Sequence, residues 1–358
     1  LEKFNLCRFS YFCNYGLNVR ERQRAEINSM QYGTIVHYIL ERFFGEYTKE
    51  EYLSLEEDKF QKIVCAYLAE YAVKYFGEEQ LESNSFTYRL KTILDNVMYL
   101  MKHIMEELSQ SEFFVADCEL KIGEDIPSYT IVLPDGHKIA VCGSVDRVDI
   151  MQRADITYLR IIDYKTGTKQ FKLSDILYGI NLQMLLYLHS IEASGGDKYG
   201  EIVPAGILYM PATVPYISSD SLKSIDKLPD ELNKKLKMNG LLLKDTEIIH
   251  GMDKTDAATY IPVKIKAGEP VSSTSLATLA EFGKIFKKVD MLIAEMGKNI
   301  YNGNIEAKPL KGGHDSCEYC PYDSVCAYRQ SNPITCFSVD NKTVIEEITN
   351  EINGKEEE

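Results

Sequence analysis

The chain has 358 residues with 54 acidic and 40 basic side chains, a formal net charge of −14, nine cysteines, no tryptophan and 45% hydrophobic residues. This composition excludes wholesale disorder, a disulfide mini-scaffold and a collagen-like fibre, and the length suffices for one large core or two medium ones. No apolar stretch approaches the ~20 residues of a membrane span, no secretory signal opens the chain, and the acidic balance taken alone argues against a nucleic-acid partner.

In chain order, residues 1–28 form an N-terminal segment carrying Cys7 within Phe4-Asn5-Leu6-Cys7-Arg8-Phe9. The start at Leu1-Glu2-Lys3 rather than methionine is the one expected of a piece of something longer. Gly33-Thr34 precedes the periodic apolar run Ile35, Val36, Ile39, Leu40, Phe43, Phe44, which predicts a helix capped by Thr34. Helical patterns follow at 49–76 and 84–110. From 113 the period changes to two: Phe114–Ile122 reads as a strand, and Tyr129–Leu133 turns at Pro134-Asp135-Gly136 into Lys138–Asp149. Tyr158–Lys165, apolar and ending in charge, suits a central strand; a helix at 173–193 and an apolar strand, Ile202–Met210, complete a core over 29–212. Residues 213–275, rich in Ser, Lys and Asp, predict a peripheral insertion. A long helix at 276–301 leads into a cysteine cluster within 276–336, and 337–358 is an acidic tail with a short helical pattern (Val344, Ile345, Ile348, Ile352). Helices, antiparallel strands, a helix and a crossover strand predict an α/β fold whose mixed central sheet is flanked by helices.

Asp163-Tyr164-Lys165 ends the buried-type strand, and Gly143-Ser144-Val145-Asp146-Arg147-Val148-Asp149 lies on the preceding one. Residues i and i+2 of a strand share a face, so Asp163 and Lys165 point the same way and Asp146 can reach the same point. Two converging carboxylates call for a cation between them, and a hard ion such as Mg²⁺ or Mn²⁺ answers that need. A surface pair of Asp163 with Lys165 is the plain alternative for this tripeptide alone. His37 and Glu41 share one helix face, as do Gln183 and Tyr187.

Taken together, Gly33-Thr34…His37, Gly143-x-x-Asp146-Arg147-x-Asp149, Asp163-Tyr164-Lys165-Thr166-Gly167 and Gln183-x-x-x-Tyr187 follow the order of RecB-type nucleases, so the chain resembles the PD-(D/E)XK superfamily. The resemblance implies a restriction-endonuclease-like fold and Mg²⁺- or Mn²⁺-dependent exonucleolytic cleavage of DNA phosphodiesters. By that likeness His37, Asp146 and Asp163, with the Tyr164 backbone carbonyl, hold the metal. Lys165 is the catalytic lysine, and Gln183 and Tyr187 support the site and meet DNA. Arg147 and Asp149 fit the motif and equally fit a structural ion pair, while Glu119, at the end of a strand, could add a carboxylate but reads first as structural.

Cys317-x-x-Cys320-Pro321-x₄-Cys326 is spaced for a metal or iron–sulfur centre rather than disulfides. The lack of a secretory signal points to a reducing, cytoplasmic compartment. Cys7 is the fourth ligand of choice, with Cys13 and Cys336 competing; Cys65, Cys118 and Cys142 sit in apolar runs as small core residues. Structural zinc satisfies the same spacing. An N-terminal cysteine paired with a distant C-x₂-C-x₅-C around a RecB-like nuclease is similar to the AddB subunits of bacterial ATP-dependent helicase–nucleases and to Cas4-type nucleases. That resemblance implies a [4Fe–4S] cluster on Cys7, Cys317, Cys320 and Cys326, an iron–sulfur staple joining the two ends. Residues 236–241, 247–253 and 303–309 resemble AddB specifically, so the likeness extends over roughly 1–330.

The sequence has no G-x₄-G-K-[ST], so this chain is not expected to hydrolyse ATP. The resemblance implies an AddA-type partner subunit in a heterodimer, which supplies the motor, and a single DNA strand unwound at a double-strand break as substrate. A stand-alone Cas4-like exonuclease and a catalytically silent iron–sulfur DNA-binding module are the alternatives. Phosphate contact needs a local basic track rather than a basic total, and Arg20, Arg22, Arg24, Arg147, Arg160, Lys165, Lys169 and Lys172 are the expected contributors.

Overall fold

The computed structural model describes residues 2–20, 29–77, 81–167, 170–214, 228–255, 257–272, 274–326, 328 and 333–356. Helices α1 (Glu2–Leu6) and α2 (Arg8–Tyr11) flank Cys7, and a π-helical turn at Phe12–Gly16 follows. Next come α3 (Ser29–Glu46), α4 (Lys49–Leu53), α5 (Glu57–Phe76) and α6 (Asn84–Ser109). Thr34 is an interior residue of α3 rather than its cap, because helical backbone begins at Ser29. The pattern over 49–76 is two helices: a capping box of Thr48 and Glu51 starts α4, which ends at Leu53, and α5 begins at Glu57.

The central sheet runs β1 (Phe114–Ile122), β4 (Gly143–Arg153), β5 (Ile156–Lys165), β6 (Glu201–Pro211), β7 (Asn239–Leu243) and β10 (Leu276–Ala277), in that spatial order. Pairing is antiparallel from β1 to β5, parallel between β5 and β6, antiparallel to β7 and parallel to β10. The sheet is therefore mixed, as expected. Strands β2 (Tyr129–Val132) and β3 (Lys138–Val141) form a separate hairpin. The predicted strand Lys138–Asp149 thus divides at Cys142, which is exposed rather than a core residue.

The pattern at 173–193 is a 3₁₀ turn (Leu173–Tyr178), a left-handed Gly179 (φ 68°) and then α7 (Gln183–Ser194), so Gln183 opens its helix. Helix α8 (Gly196–Tyr199) leads into β6. Residues 213–275 are not wholly peripheral. After α9 (Leu228–Leu236), β7 enters the central sheet, because Leu241, Leu242 and Leu243 are buried there. Helix α10 (Thr246–Met252) and the hairpin β8 (Lys264–Lys266)–β9 (Glu269–Val271) complete that stretch. A Thr278–Glu281 capping box starts α11 (Leu279–Tyr301), and β11 (Leu310–Gly312) pairs with β12 (Ile334–Cys336) around the cysteines.

The acidic C-terminal stretch is helix α12 (Asn341–Glu356). It is more than a charged tail: Val344, Ile348 and Ile352 join the same apolar core as Ile35 and Ile39 of α3, Val148 of β4 and Ile161 of β5. Each such burial is worth about 1.5–3 kcal/mol, and Lys288 of α11 adds an ion pair to Glu351 at 2.5 Å. Among the described residues no helix is long and apolar enough to cross a membrane.

Candidate active site

Alternation along β4 sends Asp146 to one face and Arg147 and Asp149 to the other. On that second face lies a closed ionic cluster. Arg147 donates to both Asp149 oxygens at 2.6 Å and to Glu107 at 3.1 Å, and Arg160 of β5 donates to Asp149 at 3.0 Å and to Glu107 at 2.6 Å. All four side chains are fully buried. Burial by itself would raise the Asp149 carboxyl, but Arg147 and Arg160 outweigh it and hold it below the usual range. The cluster pins α6 to β4 and β5. Arg147 and Arg160 are thereby removed from the expected phosphate track; Arg22, Arg24 and Lys169 lie outside the described residues, and Arg20 and Lys172 are exposed.

On the first face the strands converge. The register Arg147↔Ile162 puts Asp146 beside Asp163 at the next step, and the Tyr164 N–H donates to Asp146 Oδ2 at 3.0 Å. Lys165 Nζ is 2.5 Å from Asp163 Oδ2 and 5.6 Å from the centre of the Tyr209 ring. From α3, His37 Nδ1 lies 3.0 Å from Glu119 and Nε2 lies 3.6 Å from Asp146. Ser144 donates to the other Glu119 oxygen at 2.8 Å. The His37 ring meets the buried Tyr164 ring edge-on at 5.7 Å.

Glu119, ranked first as structural and second as a further carboxylate from its sequence, stands with His37 and Asp146. It stands in β1 with φ 51°, a left-handed backbone that costs a non-glycine residue roughly 1–3 kcal/mol and recurs at functional sites. Its only signal in the sequence is a carboxylate amid an alternating strand; the approach to His37 is decided by the packing of α3 on β1.

The ligand atoms of His37, Glu119 and Asp146 all lie within 4.8 Å of one another. Burial first, and the Asp163 carboxylate second, push Asp146 up to about 7. Burial disfavours charge on His37, but its hydrogen bond to Glu119 and the nearby Asp146 and Asp163 outweigh that and raise its pKa. A proton-hungry carboxylate facing a second carboxylate and an imidazole is a donor set that fits a hard divalent cation. His37 and Glu119 line a cleft of about 720 Å³ together with Gly33, Tyr71, Tyr75, Lys121 and Lys165. A hollow of similar size around Lys49 and Lys254 holds none of the motif residues.

Gln183 and Tyr187 stand one turn apart on α7, with the Gln183 amide 3.4 Å from the Tyr187 hydroxyl. A side chain at Gly143 would put its Cβ 2.2 Å from that hydroxyl, so Tyr187 packs directly over the start of β4. The segment that leads to Gln183 is held from both chain ends. Asn5 donates to the Gly179 carbonyl at 2.9 Å, Glu2 accepts from the Gln183 N–H at 3.4 Å, and His314 lies 3.4 Å from Asp175.

Cys7, Cys317, Cys320 and Cys326 line one cavity of about 160 Å³. Burial raises the Cys7 thiol, opposed by backbone N–H groups of Ser10 and Phe9 that favour the thiolate a metal requires. Cys13 is buried and feels the charges of Cys326 and Cys320, but it is not among the residues lining that cavity. Cys336 packs instead with Ile180 and Leu310. Four thiols in one cavity fit a four-thiolate centre.

Residues 1–327 match the PD-(D/E)XK nuclease superfamily. The chain is 34% identical over 340 residues to the B subunit of the ATP-dependent helicase/deoxyribonuclease of Thermoanaerobacter sp. (strain X514), a match covering 92% of this chain and 29% of that protein. Proteins of the same name from Alkaliphilus oremlandii (33%, covering 98% of this chain and 32% of the relative) and Clostridium kluyveri (34%, covering 100% and 32%) are similar to it as well. The chain spans about a third of the length of the curated relatives it matches. With that match running from the N-terminal segment through the last cysteine of the trio, the chain belongs to the PD-(D/E)XK nuclease superfamily.

Proposed function

We propose that this chain is the Mg²⁺- or Mn²⁺-dependent deoxyribonuclease domain of an AddAB-type helicase–nuclease, cleaving exonucleolytically a single DNA strand unwound at a double-strand break. The observation that carries the reading is the convergence of His37, Glu119 and Asp146 beside Asp163 and Lys165 at one end of the central sheet. His37, Asp146 and Asp163, with the Tyr164 carbonyl, are the metal ligands, and Glu119 either joins them or holds the His37 ring. A divalent cation bound there lowers the pKa of water and neutralises charge developing on the phosphate. Lys165, steadied by Asp163, orients the attacking water and balances the phosphate oxygens as the P–O bond breaks. Gln183 and Tyr187 meet the strand from α7.

The thiol cavity is the seat of a [4Fe–4S] staple on Cys7, Cys317, Cys320 and Cys326. Its contribution is structural: ligation energy becomes folding energy, and the joined ends hold the Gly179–Gln183 segment in place. An AddA-type subunit supplies the motor, and the complex works in the cytoplasm.

End-labelled single-stranded DNA incubated with Mg²⁺ or Mn²⁺ tests the reading. The parent shortens the strand, metal chelation stops it, and Lys165→Ala and Asp163→Ala lower the rate by at least roughly a hundredfold. Cleavage by Lys165→Ala at the parental rate would overturn the assignment of the site.

A further inference from the structure

One wall of the cleft carries three tyrosines packed ring against ring. Tyr71 and Tyr75 stand one turn apart on α5, with ring centres 4.4 Å apart and planes tilted by 35°, and Tyr38 of α3 packs against Tyr71 at 5.2 Å. All three line the same cleft as His37, Glu119 and Lys165. Tyr71 is buried, and the Tyr38 hydroxyl donates to Glu70 at 2.8 Å, so the inner rings are fixed. Tyr75 is 55% exposed, so the outer face of its ring is open to the cleft while the inner side packs on Tyr71. The Lys74 ammonium lies 5.1 Å from the Tyr75 ring centre.

The charges on this wall tell how a strand can be gripped here. Glu41 lines the cleft, Glu70 is engaged by Tyr38 and Arg42, and Lys121 is paired with Glu124 at 3.1 Å. Such a wall is no phosphate track. Beside Lys74 and Lys165, a neutral ring adds a contact that needs no charge, because each nucleobase has a π-face whatever its sequence.

We propose that Tyr75, backed by Tyr71 and Tyr38, is a stacking platform for a base of the unpaired strand beside the scissile phosphate. This rests on the deoxyribonuclease reading above and adds to it how the strand is held: by a base face, without sequence preference. A duplex, whose bases are already stacked on one another, cannot use the platform, so the ring selects for unpaired DNA. Tyr75 is thus a strand-positioning residue rather than a catalytic one.

The test uses the full 358-residue chain and two end-labelled strands, oligo(dT) and the same backbone with abasic sites. On oligo(dT), Tyr75→Ala raises KM roughly five- to a hundredfold with kcat unchanged, as the loss of one base–aromatic stack demands. On the abasic strand, parent and Tyr75→Ala share one KM. Because the natural chain has no tryptophan, Tyr75→Trp introduces a single indole whose emission reports stacking directly. Oligo(dT) quenches it in metal-free buffer, the abasic strand does not, and the variant keeps the parental KM. Parental KM in Tyr75→Ala on oligo(dT), or indole emission indifferent to oligo(dT) while the parent cleaves that strand, overturns the platform and leaves the nuclease reading standing. A parent that neither binds nor cleaves either strand overturns the nuclease reading, and the platform with it.

Discussion

Asp146 and Asp149 stand three residues apart on one strand and face opposite ways, so replacing each with asparagine should produce opposite phenotypes. Asp149 accepts three of the five hydrogen bonds in the buried cluster, and the four side chains balance two positive against two negative charges. Asp149→Asn leaves a net positive charge in a fully buried place and turns an amide donor towards guanidinium donors. Breaking a buried pair in this way costs about 3–5 kcal/mol. With an unfolding entropy of about 2.1 cal/mol/K per residue, a 358-residue chain changes by roughly 0.75 kcal/mol per degree, which converts the loss to about 4–7 °C in Tm. Asp146 is the reverse case. Its carboxyl is pushed up to about 7 by burial and by Asp163, so the folded, metal-free chain binds that proton more tightly than the unfolded chain. Its contribution to metal-free stability is therefore fully present below about pH 4, is lost as pH rises to about 7 and is level above, a span of up to ~4 kcal/mol. Asp146→Asn should abolish this slope, melt no lower than the parent at pH 8 without metal, and lose metal-dependent cleavage. Thermal melts in chelator across pH, beside the labelled-strand assay, read both variants. An Asp149→Asn variant with parental Tm, or an Asp146→Asn variant that melts several degrees lower while still cleaving, would refute the division of β4 into a structural and a functional face.

Further outcomes follow from other parts of the molecule. Burial pulls the His189 ring down, but hydrogen bonds to Asp290 and Glu192 outweigh it and hold its pKa at about 9. The stability this contributes, up to ~3 kcal/mol, is fully present below about pH 6.5 and is lost as pH rises through 9. Urea titrations at several pH values should show that slope in the parent and not in His189→Gln; equal slopes would exclude it. Gly143→Ala collides with the Tyr187 hydroxyl and should cut cleavage far more than it lowers Tm. In a double-mutant cycle with Tyr187→Ala the two losses should be non-additive, and simple addition would mean that the contact is idle. Cys317→Ser should lose bound iron and acid-labile sulfide along with several degrees of Tm, while Cys336→Ser keeps its metal. Colourless, zinc-containing parent protein would replace the cluster with a zinc centre.

Where local chemistry decides, the chain could be read directly. The two-residue period of Phe114–Ile122 and Tyr158–Lys165, the helical period from Ile35 to Phe44, the crossover to Ile202–Met210 and the tight cysteine trio all survive in the fold. The alternation of β4 likewise separates Asp146 from Arg147 and Asp149, since a strand turns successive side chains to opposite faces. Elements that lack such a signal take their place from tertiary contacts. Asn239–Leu243 is a five-residue strand without alternation to announce its place in the central sheet, and the left-handed turn at Gly179 that delays α7 to Gln183 is held by Asn5 from the far end of the chain.

The sequence by itself determined the main helices and strands and which face of its own element each side chain occupies, because propensity and period act over a few residues. Tertiary structure alone decided their company. Glu119 joined His37 and Asp146 through the packing of α3 against β1, and Cys7 rather than Cys336 came to line the trio's cavity. Arg147 and Arg160, expected at the phosphates, were drawn into a dry cluster with Glu107 from α6. Each outcome depends on register and packing between segments far apart in the chain, where the lowest free energy belongs to the assembled core and to no single stretch of it.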